Sequence, residues 1–207
     1  MGWYTDSDSG TNRQSYGGPI TEGARAVATA VSKKVCLLGD FATGKTSLVR
    51  RFVYDLFDDK YISTIGVKVS RKTIVVPGSD GVVELTMMLW DLAGSEEFDR
   101  VRASYLRGSA GAVVVCDLTR PETLDSLQRY AEELRAVCPR ADLILAANKR
   151  DLFMPSPPSG LQALDVEQVA AEAASLDAPY YLTSAKMGDE VEEMFRHLGR
   201  LLVGTRR

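Results

Sequence analysis

The stretch GDFATGKT, residues 39–46, decides the fold of this chain. It follows an apolar run predicted as a strand (34–39) and opens a helical pattern (45–56). It fits the phosphate-loop pattern G-x-x-x-x-G-K-[ST] in the strand-loop-helix context that the pattern requires. Backbone N–H groups of such a loop can close around phosphate oxygens, and the positive end of the helix dipole adds to their attraction. Lys45 is predicted to reach the β and γ phosphates of a nucleotide, and Thr46 to ligate Mg²⁺. The predicted phosphate-loop residues are Gly39, Asp40, Phe41, Ala42, Thr43, Gly44, Lys45, Thr46 and Ser47.

Strand-like and helical runs alternate along the rest of the chain, which is typical of βα units and a mostly parallel sheet. Strands are predicted at 34–39, 66–76, 82–90, 112–117, 142–147 and 179–183. Helices are predicted at 45–56, 96–107, 121–137, 164–176 and 188–203. The turn PGSDG is short enough for a hairpin between the second and third strands. The predicted fold class is therefore α/β: a six-stranded, mostly parallel sheet with one antiparallel edge strand, flanked by helices.

The chain outside this alternation has loop-like composition. Residues 1–32, rich in Gly, Ser, Thr and Asp, are predicted as a disordered tail, 33–203 as the folded domain and 204–207 as a short C-terminal end. The insert MPSPPSG at 154–160 is predicted as a surface loop because its prolines cannot continue a helix. No apolar run is long enough to cross a membrane and none resembles a signal sequence, so a cytoplasmic location is predicted.

Composition excludes several classes of function. The net charge of -3 and the pI near 5.3 argue against nucleic acid as a partner. The cysteines Cys36, Cys116 and Cys138 lack metal-binding spacing and are interpreted as reduced. His197 is the only histidine and has an ordinary helical position, which excludes multi-histidine metal sites. The acidic pairs in helical runs are predicted to be solvated faces: they are Glu96-Glu97, Glu132-Glu133 and Glu192-Glu193.

Three further loops indicate a guanine nucleotide. After the strand at 82–90, Asp91 can hold Mg²⁺ through water and the Gly94 N–H can meet a γ-phosphate. In NKRD, the Asp151 carboxylate can accept hydrogen bonds from the N1–H and 2-amino groups of guanine, a donor pair that adenine lacks. In TSAK, the Ala185 N–H can donate to the guanine O6 and Lys186 can flank the ring. The carboxyl ends of parallel strands meet at one edge, so a single site is predicted. Its base-binding residues are Asn148, Lys149, Asp151, Ser184, Ala185 and Lys186.

These motifs together resemble the Ras superfamily of small GTPases, most closely the Rab group. GDFATGKTSLVRRF, YISTIGV, WDLAGSEEF, YLRGSAGAVVVCDLTRPET, NKRD and TSAK occur in family order over about residues 33–203. The resemblance implies a switch that binds GTP or GDP with Mg²⁺ and hydrolyses GTP. It implies that Phe57 packs against the guanine and that Thr64 closes on Mg²⁺ and the γ-phosphate. An activating protein, an exchange factor and an effector are expected to contact residues 57–70 and 91–107.

Departures from the family pattern change two expectations about partners. IGVKV replaces the Rab-like IGVDF, so Lys68 and Val69 alter the surface that Rab effectors read, and Rab effectors are not assumed. No cysteine follows Cys138, so neither C-terminal prenylation nor direct lipid-anchored membrane binding is expected. The basic edge formed by Lys68, Arg71 and Lys72 suits either an acidic partner or protection against strand aggregation.

Two other departures concern catalysis. Phe41 lies where the family has a small residue beside the γ-phosphate, and Ser95 where it has the glutamine that orients the attacking water. Both predict slow intrinsic hydrolysis. The predicted catalytic residues are Lys45, Thr64, Gly94 and Ser95, and the predicted metal ligands are Thr46, Thr64 and Asp91.

The functional class remains open on these residues. A cycling GTPase and a GTP-bound interaction scaffold with negligible hydrolysis both fit, whereas NKRD and the lack of an acceptor-substrate lid disfavour an adenine-nucleotide kinase. Arg100 and Arg102 could supply transition-state charge in cis, although an arginine from a partner is the commoner arrangement.

Overall fold

A computed structural model describes residues 29–58, 63–79, 81–94, 99–153 and 164–204. It confirms a six-stranded sheet of order β2-β3-β1-β4-β5-β6, in which only β2 is antiparallel to its neighbour. The strands are β1 (Thr29–Leu38), β2 (Val67–Gly78), β3 (Gly81–Leu92), β4 (Gly111–Asp117), β5 (Asp142–Asn148) and β6 (Tyr180–Leu182). The helices are α1 (Lys45–Tyr54), α2 (Asp99–Leu106), α3 (Glu122–Asp125), α4 (Leu127–Val137), α5 (Val166–Ser175) and α6 (Val191–Leu202).

The sheet separates two hydrophobic cores. Successive residues of a strand point to opposite faces, so Val35 and Leu37 of β1 lie in one core and Cys36 and Leu38 in the other. Helices α1 and α6 fill the first core, and Phe52 stacks on Phe195 there with ring centroids 4.2 Å apart. Helices α2, α4 and α5 contribute to the second. Because helices cover both faces of the sheet, the loops at its carboxyl edge are the part of the sheet that a ligand can approach.

Several predicted boundaries were wrong. Strand β1 begins at Thr29 because it pairs with β3 from the Thr29–Val83 register onward, so residues 29–32 belong to the sheet and not to the tail. The helix predicted at 121–137 is divided into α3 and α4 at Ser126. The helix predicted from 188 begins at Val191, because Gly188 and Glu190 have left-handed backbone conformations (φ 87° and 56°). The rest of the predicted tail and the loop at 154–160 lie outside the described residues.

Two interpretations of charged residues were also wrong. Lys72 lies on the inner face of β2, where its ammonium group donates to the Phe52 carbonyl (2.5 Å), so it is not part of an outward basic edge; Lys68 and Arg71 are exposed. Glu133 is not simply a solvated helix residue, because it accepts a hydrogen bond from the buried Arg102 at 2.9 Å. The pair Glu96-Glu97 lies outside the described residues.

The remaining sequence interpretations concern single side chains. The three cysteines are free thiols; Cys36 and Cys116 are buried, and burial raises the pKa of Cys116 to about 12. His197 lies in α6, where its Nδ1 is 2.8 Å from the Tyr181 hydroxyl. Within the described segments, no helix is long and apolar enough to cross a membrane.

Candidate nucleotide-binding site

A cavity of about 320 Å³ lies at the carboxyl edge of the sheet. Most of the predicted site residues line it: Phe41, Ala42, Gly44, Lys45, Thr46, Ser47, Phe57, Thr64, Gly94, Asn148, Lys149, Asp151, Ala185 and Lys186. Five other predicted residues do not line it, namely Gly39, Asp40, Thr43, Asp91 and Ser184, and Ser95 lies outside the described residues. The sequence analysis did not identify Arg50, Asp58, Leu92 and Leu152, which also line the cavity. One cavity therefore brings together loops that lie far apart in the sequence.

Close packing and positive φ values explain both glycines of the phosphate-loop motif. At Gly39 (φ 137°), an added Cβ would lie 2.2 Å from the Val115 carbonyl oxygen of β4. At Gly44 (φ 98°), it would lie 2.2 Å from Nδ2 of Asn148. Ala42 also has a left-handed conformation (φ 62°), which is costly for a residue with a side chain. The loop thus has a tight shape that depends on glycine at positions 39 and 44.

The Lys45 ammonium group lies inside this loop. It donates hydrogen bonds to the backbone carbonyls of Gly39 (2.8 Å) and Asp40 (2.7 Å). Burial lowers the pKa of Lys45 to about 8, and the nearby carboxylates of Asp91 and Asp40 oppose that shift. The loop therefore holds a buried cation at its centre, which favours an anionic ligand.

Gly94 lets the loop after β3 approach this cation. A Cβ at Gly94 would lie 2.7 Å from the Lys45 ammonium nitrogen and 2.6 Å from the Gly39 carbonyl oxygen. Any side chain there would displace the phosphate loop. The Gly94 backbone can therefore face the same ligand as Lys45.

Thr46, Thr64 and Asp91 bring hydroxyl and carboxylate oxygens together. The Thr46 Oγ1 donates to Asp91 Oδ2 at 2.5 Å and is 2.7 Å from the Thr64 Oγ1. Among the described residues, Asp91 Oδ1 is buried without a hydrogen-bond partner, and burial raises the pKa of this carboxyl. An orphaned carboxylate oxygen beside two hydroxyls fits Mg²⁺, which prefers oxygen ligands and a site shared with phosphate.

Asn148 connects the phosphate loop to the loops after β5 and β6. Its Nδ2 donates to the Thr43 carbonyl at 2.9 Å. Its Oδ1 accepts from the Thr183 hydroxyl and from the Ala185 N–H, both at 3.2 Å. The predicted donor to guanine O6, the Ala185 N–H, is therefore engaged by Asn148 here.

Asp151 lies at the cavity wall in a short 3-10 turn, Arg150–Leu152. The Ser184 hydroxyl donates to its Oδ1 at 2.6 Å and so fixes the direction of the carboxylate. Beside it, the Lys149 ammonium pairs with the buried Asp117 at 2.6 Å. Burial raises the pKa of Asp117, but hydrogen bonds from Lys149 and Thr119 outweigh that effect and lower it below its usual value. Asp151 remains able to accept two donors from a ligand in the cavity.

Sequence reasoning missed the residues that hold the phosphate loop from outside. The Asp40 carboxylate accepts from the Ser126 hydroxyl (2.7 Å) and the Tyr130 hydroxyl (2.9 Å), so it points toward α4 and not into the cavity. Arg120 donates to the Phe41 carbonyl at 2.8 Å. These partners follow Asp40 by about eighty residues or more. The sequence signal that could have pointed to them was their place in or beside the segment YLRGSAGAVVVCDLTRPET, which resembles the family.

The Arg102 side chain does not line the cavity. It is 1% exposed, its guanidinium lies over the Tyr130 ring at 4.7 Å, and it pairs with Glu133. It therefore anchors α2 to α4, an arrangement that gives no support to the alternative that Arg102 supplies charge to the reaction. Arg100, the other candidate, has no described side chain.

A parallel sheet with a phosphate loop between β1 and α1, and with further binding loops after β3, β5 and β6, defines a P-loop nucleotide-binding protein. The Ras family model matches residues 34–203. Ras-related protein Rab-31 of Rattus norvegicus is 36% identical over 168 residues, 81% of either chain. Ras-related protein Rab-22A of Homo sapiens is 36% identical over 179 residues, covering 83% of this chain and 84% of that protein. Ras-related protein Rab-1A of Dictyostelium discoideum is 34% identical over 163 residues, covering 78% and 76%. The chain belongs to the Ras family and is a Rab-like small GTPase.

Proposed function

We propose that this GTPase is a guanine-nucleotide switch that binds GTP and GDP with Mg²⁺ and hydrolyses GTP slowly without an activating protein. The main support is that the phosphate loop, which contains Lys45, and the loop after β5, which contains Asp151, line one cavity. The first suits phosphates, and the second suits the two donors of guanine. Phe57, at the cavity wall, supports the proposed packing against the base.

Thr46, Thr64 and Asp91 would hold Mg²⁺, with support from the orphaned Asp91 oxygen. When bound, the ion supplies positive charge to the phosphate oxygens. Lys45 supplies a second positive charge, and the Gly94 N–H is proposed to orient the terminal phosphate. Thr64 is proposed to contact that phosphate as well. The neighbouring Ile65 is 95% exposed and so adds little packing to hold this segment in place. Loss of the phosphate would release this segment.

Slow hydrolysis rests on Phe41 and Ser95. The Phe41 side chain is 47% exposed at the cavity wall, so a bulky ring borders the proposed place of the γ-phosphate. Serine lacks the reach of the glutamine that orients water in the family. Both features are proposed to slow the attack of water on the γ-phosphate without lowering the affinity for GTP.

The proposed partners are an activating protein, an exchange factor and an effector at residues 57–70 and 91–107. Apolar exposure supports this surface, since Ile65 and Val69 (45% exposed) lie on it. Lys68 is also exposed, so the effector should tolerate a cation between the two switches.

Single-turnover GTP hydrolysis tests the rate proposal. Ser95→Gln should raise the rate by about tenfold, equivalent to about 1.4 kcal/mol of barrier, without changing GTP affinity. Phe41→Gly should be measured alone and combined with Ser95→Gln, since two obstacles to one water geometry predict more than the product of the single effects. A wild-type rate equal to that of the double variant would refute slow hydrolysis. No turnover even with cell lysate as a source of activating protein would instead support the alternative, a GTP-bound interaction scaffold.

A further inference from the structure

Arg120 lies in the loop between β4 and α3 with its guanidinium against the phosphate loop. Its Nη2 donates to the Phe41 carbonyl at 2.8 Å, and its Nε donates to Asp117 Oδ2 at 2.9 Å. The Asp117 side chain is buried and also holds Lys149 and Thr119. The Nε end of the guanidinium is therefore fixed to a rigid anion, while the other end rests on a backbone carbonyl at the cavity wall.

Two cations cover successive carbonyls of the phosphate loop. Lys45 donates to the Asp40 carbonyl at 2.7 Å, and Arg120 donates to the next one, that of Phe41. Burial is the main cause of the lowered Lys45 pKa, and the charges of Arg102 and Arg120 contribute in the same direction. A phosphate oxygen is a stronger acceptor than either neutral carbonyl. An anion in the loop would therefore draw both cations.

We propose that Arg120 recognises the terminal phosphate of a bound guanosine triphosphate. Nη2 leaves the Phe41 carbonyl for that phosphate, while Nε stays on Asp117. The Arg120 side chain is 34% exposed and its Nη1 makes no hydrogen bond to the described residues, so only the Nη2 bond to the Phe41 carbonyl has to break for the guanidinium to turn about its contact with Asp117. Arg120 thus favours the triphosphate over the diphosphate state. The inference rests on the proposed function and names a specificity residue for it.

The test compares the affinities for GDP and for a non-hydrolysable GTP analogue, both measured with Mg²⁺ by competition against a fluorescent nucleotide. Arg120→Gln removes the positive charge. It should lower the affinity for the GTP analogue by about tenfold more than the affinity for GDP, because a charge-assisted hydrogen bond is lost only in the triphosphate complex. Arg120→Lys keeps a charge but not the fork and should recover part of the difference. Arg140→Gln is the matched control, because Arg140 is an exposed arginine just before β5, at the opposite edge of the sheet. It should change neither affinity.

The ratio of the two affinities separates recognition from loop positioning. Equal weakening of both nucleotides would overturn the proposal, because Arg120 would then only hold the Phe41 carbonyl. No change in either affinity would overturn it as well. If thermal melting shows that Arg120→Gln is poorly folded, the ratio of the affinities for the GTP analogue and for GDP is measured on Arg120→Lys instead. A loss of both affinities with an unchanged ratio would then contradict recognition of the terminal phosphate by Arg120. Failure of the wild-type protein to bind either nucleotide would instead refute the proposed function itself.

Discussion

Asn148→Ala should destabilise the protein more than any single contact in the site suggests, because Asn148 connects three loops. The asparagine is 1% exposed and makes hydrogen bonds to the Thr43 carbonyl, the Thr183 hydroxyl and the Ala185 N–H. Alanine removes all three hydrogen bonds and leaves the Thr43 carbonyl without the Asn148 donor. Water has little access to replace the lost bonds, since Thr43 and Thr183 are themselves fully buried.

The magnitude follows from the number of bonds. Each net hydrogen bond contributes about 0.5–1.5 kcal/mol, so three predict a loss of about 1.5–4.5 kcal/mol in the free energy of unfolding. For a chain of this size that corresponds to a fall of about 2–4 °C in Tm per kcal/mol. Thr183→Val is the matched control, because it removes only the 3.2 Å bond to Asn148 Oδ1 and conserves shape; its expected cost is about 1 kcal/mol.

Urea unfolding of the nucleotide-free protein measures both costs, and stopped-flow release of a fluorescent GDP measures the functional effect. Release should be faster in Asn148→Ala, because the phosphate loop and the base-binding loops are no longer held together. A cost for Asn148→Ala no greater than that of Thr183→Val would refute the reasoning. So would an unchanged rate of release.

Three other predictions concern single charges. Asp151→Asn should shift the preference from guanine toward xanthine nucleotides, whose 2-oxo group accepts where guanine donates; unchanged GDP affinity in competition assays would contradict the assignment. Burial lowers the pKa of Lys45 from 10.5 to about 8, so the folded nucleotide-free protein binds fewer protons there than the unfolded chain. Its stability should therefore rise between pH 8 and 10.5 relative to Lys45→Met, as measured by urea titration, and parallel pH profiles would exclude the effect. Arg102→Met should cost about 2 kcal/mol, less than for a fully buried pair because Glu133 is 30% exposed, and should leave single-turnover hydrolysis unchanged; a large fall in rate would restore Arg102 as a participant in the reaction.

Local sequence was sufficient for the parts of the site that depend on backbone conformation. GDFATGKT needs glycine at φ values of 137° and 98°, and a helix immediately after, so the pattern itself specifies a phosphate loop. The six strands of a mostly parallel sheet and its antiparallel edge were predicted from the alternation of apolar runs and from one tight turn, whereas the strand order was not. These features are encoded over a few residues, and each residue's contribution can be judged without knowing its distant neighbours.

Charged side chains were less predictable because their directions depend on which elements pack together. Lys72 was grouped with Lys68 and Arg71 in one basic edge, although the period of two along β2 places it on the same face as the buried Ser70 and Ile74. Arg102 was considered for the reaction, but α4 supplies Glu133 on the side of α2 that faces the core. The sequence alone does not show which side of a helix packs against its neighbour or which carboxylate lies at that contact.

The sequence by itself determined the fold class, the phosphate loop and the residues expected to select guanine, because short segments with strict backbone requirements carry that information. Only the tertiary structure decided what holds the loop in place. Asp40 is bound by Ser126 and Tyr130, and Arg120 reaches the Phe41 carbonyl from a loop 79 residues further along the chain. These contacts exist because parallel strands place the ends of β1 and β4 side by side, so that groups distant in sequence lie within hydrogen-bond distance.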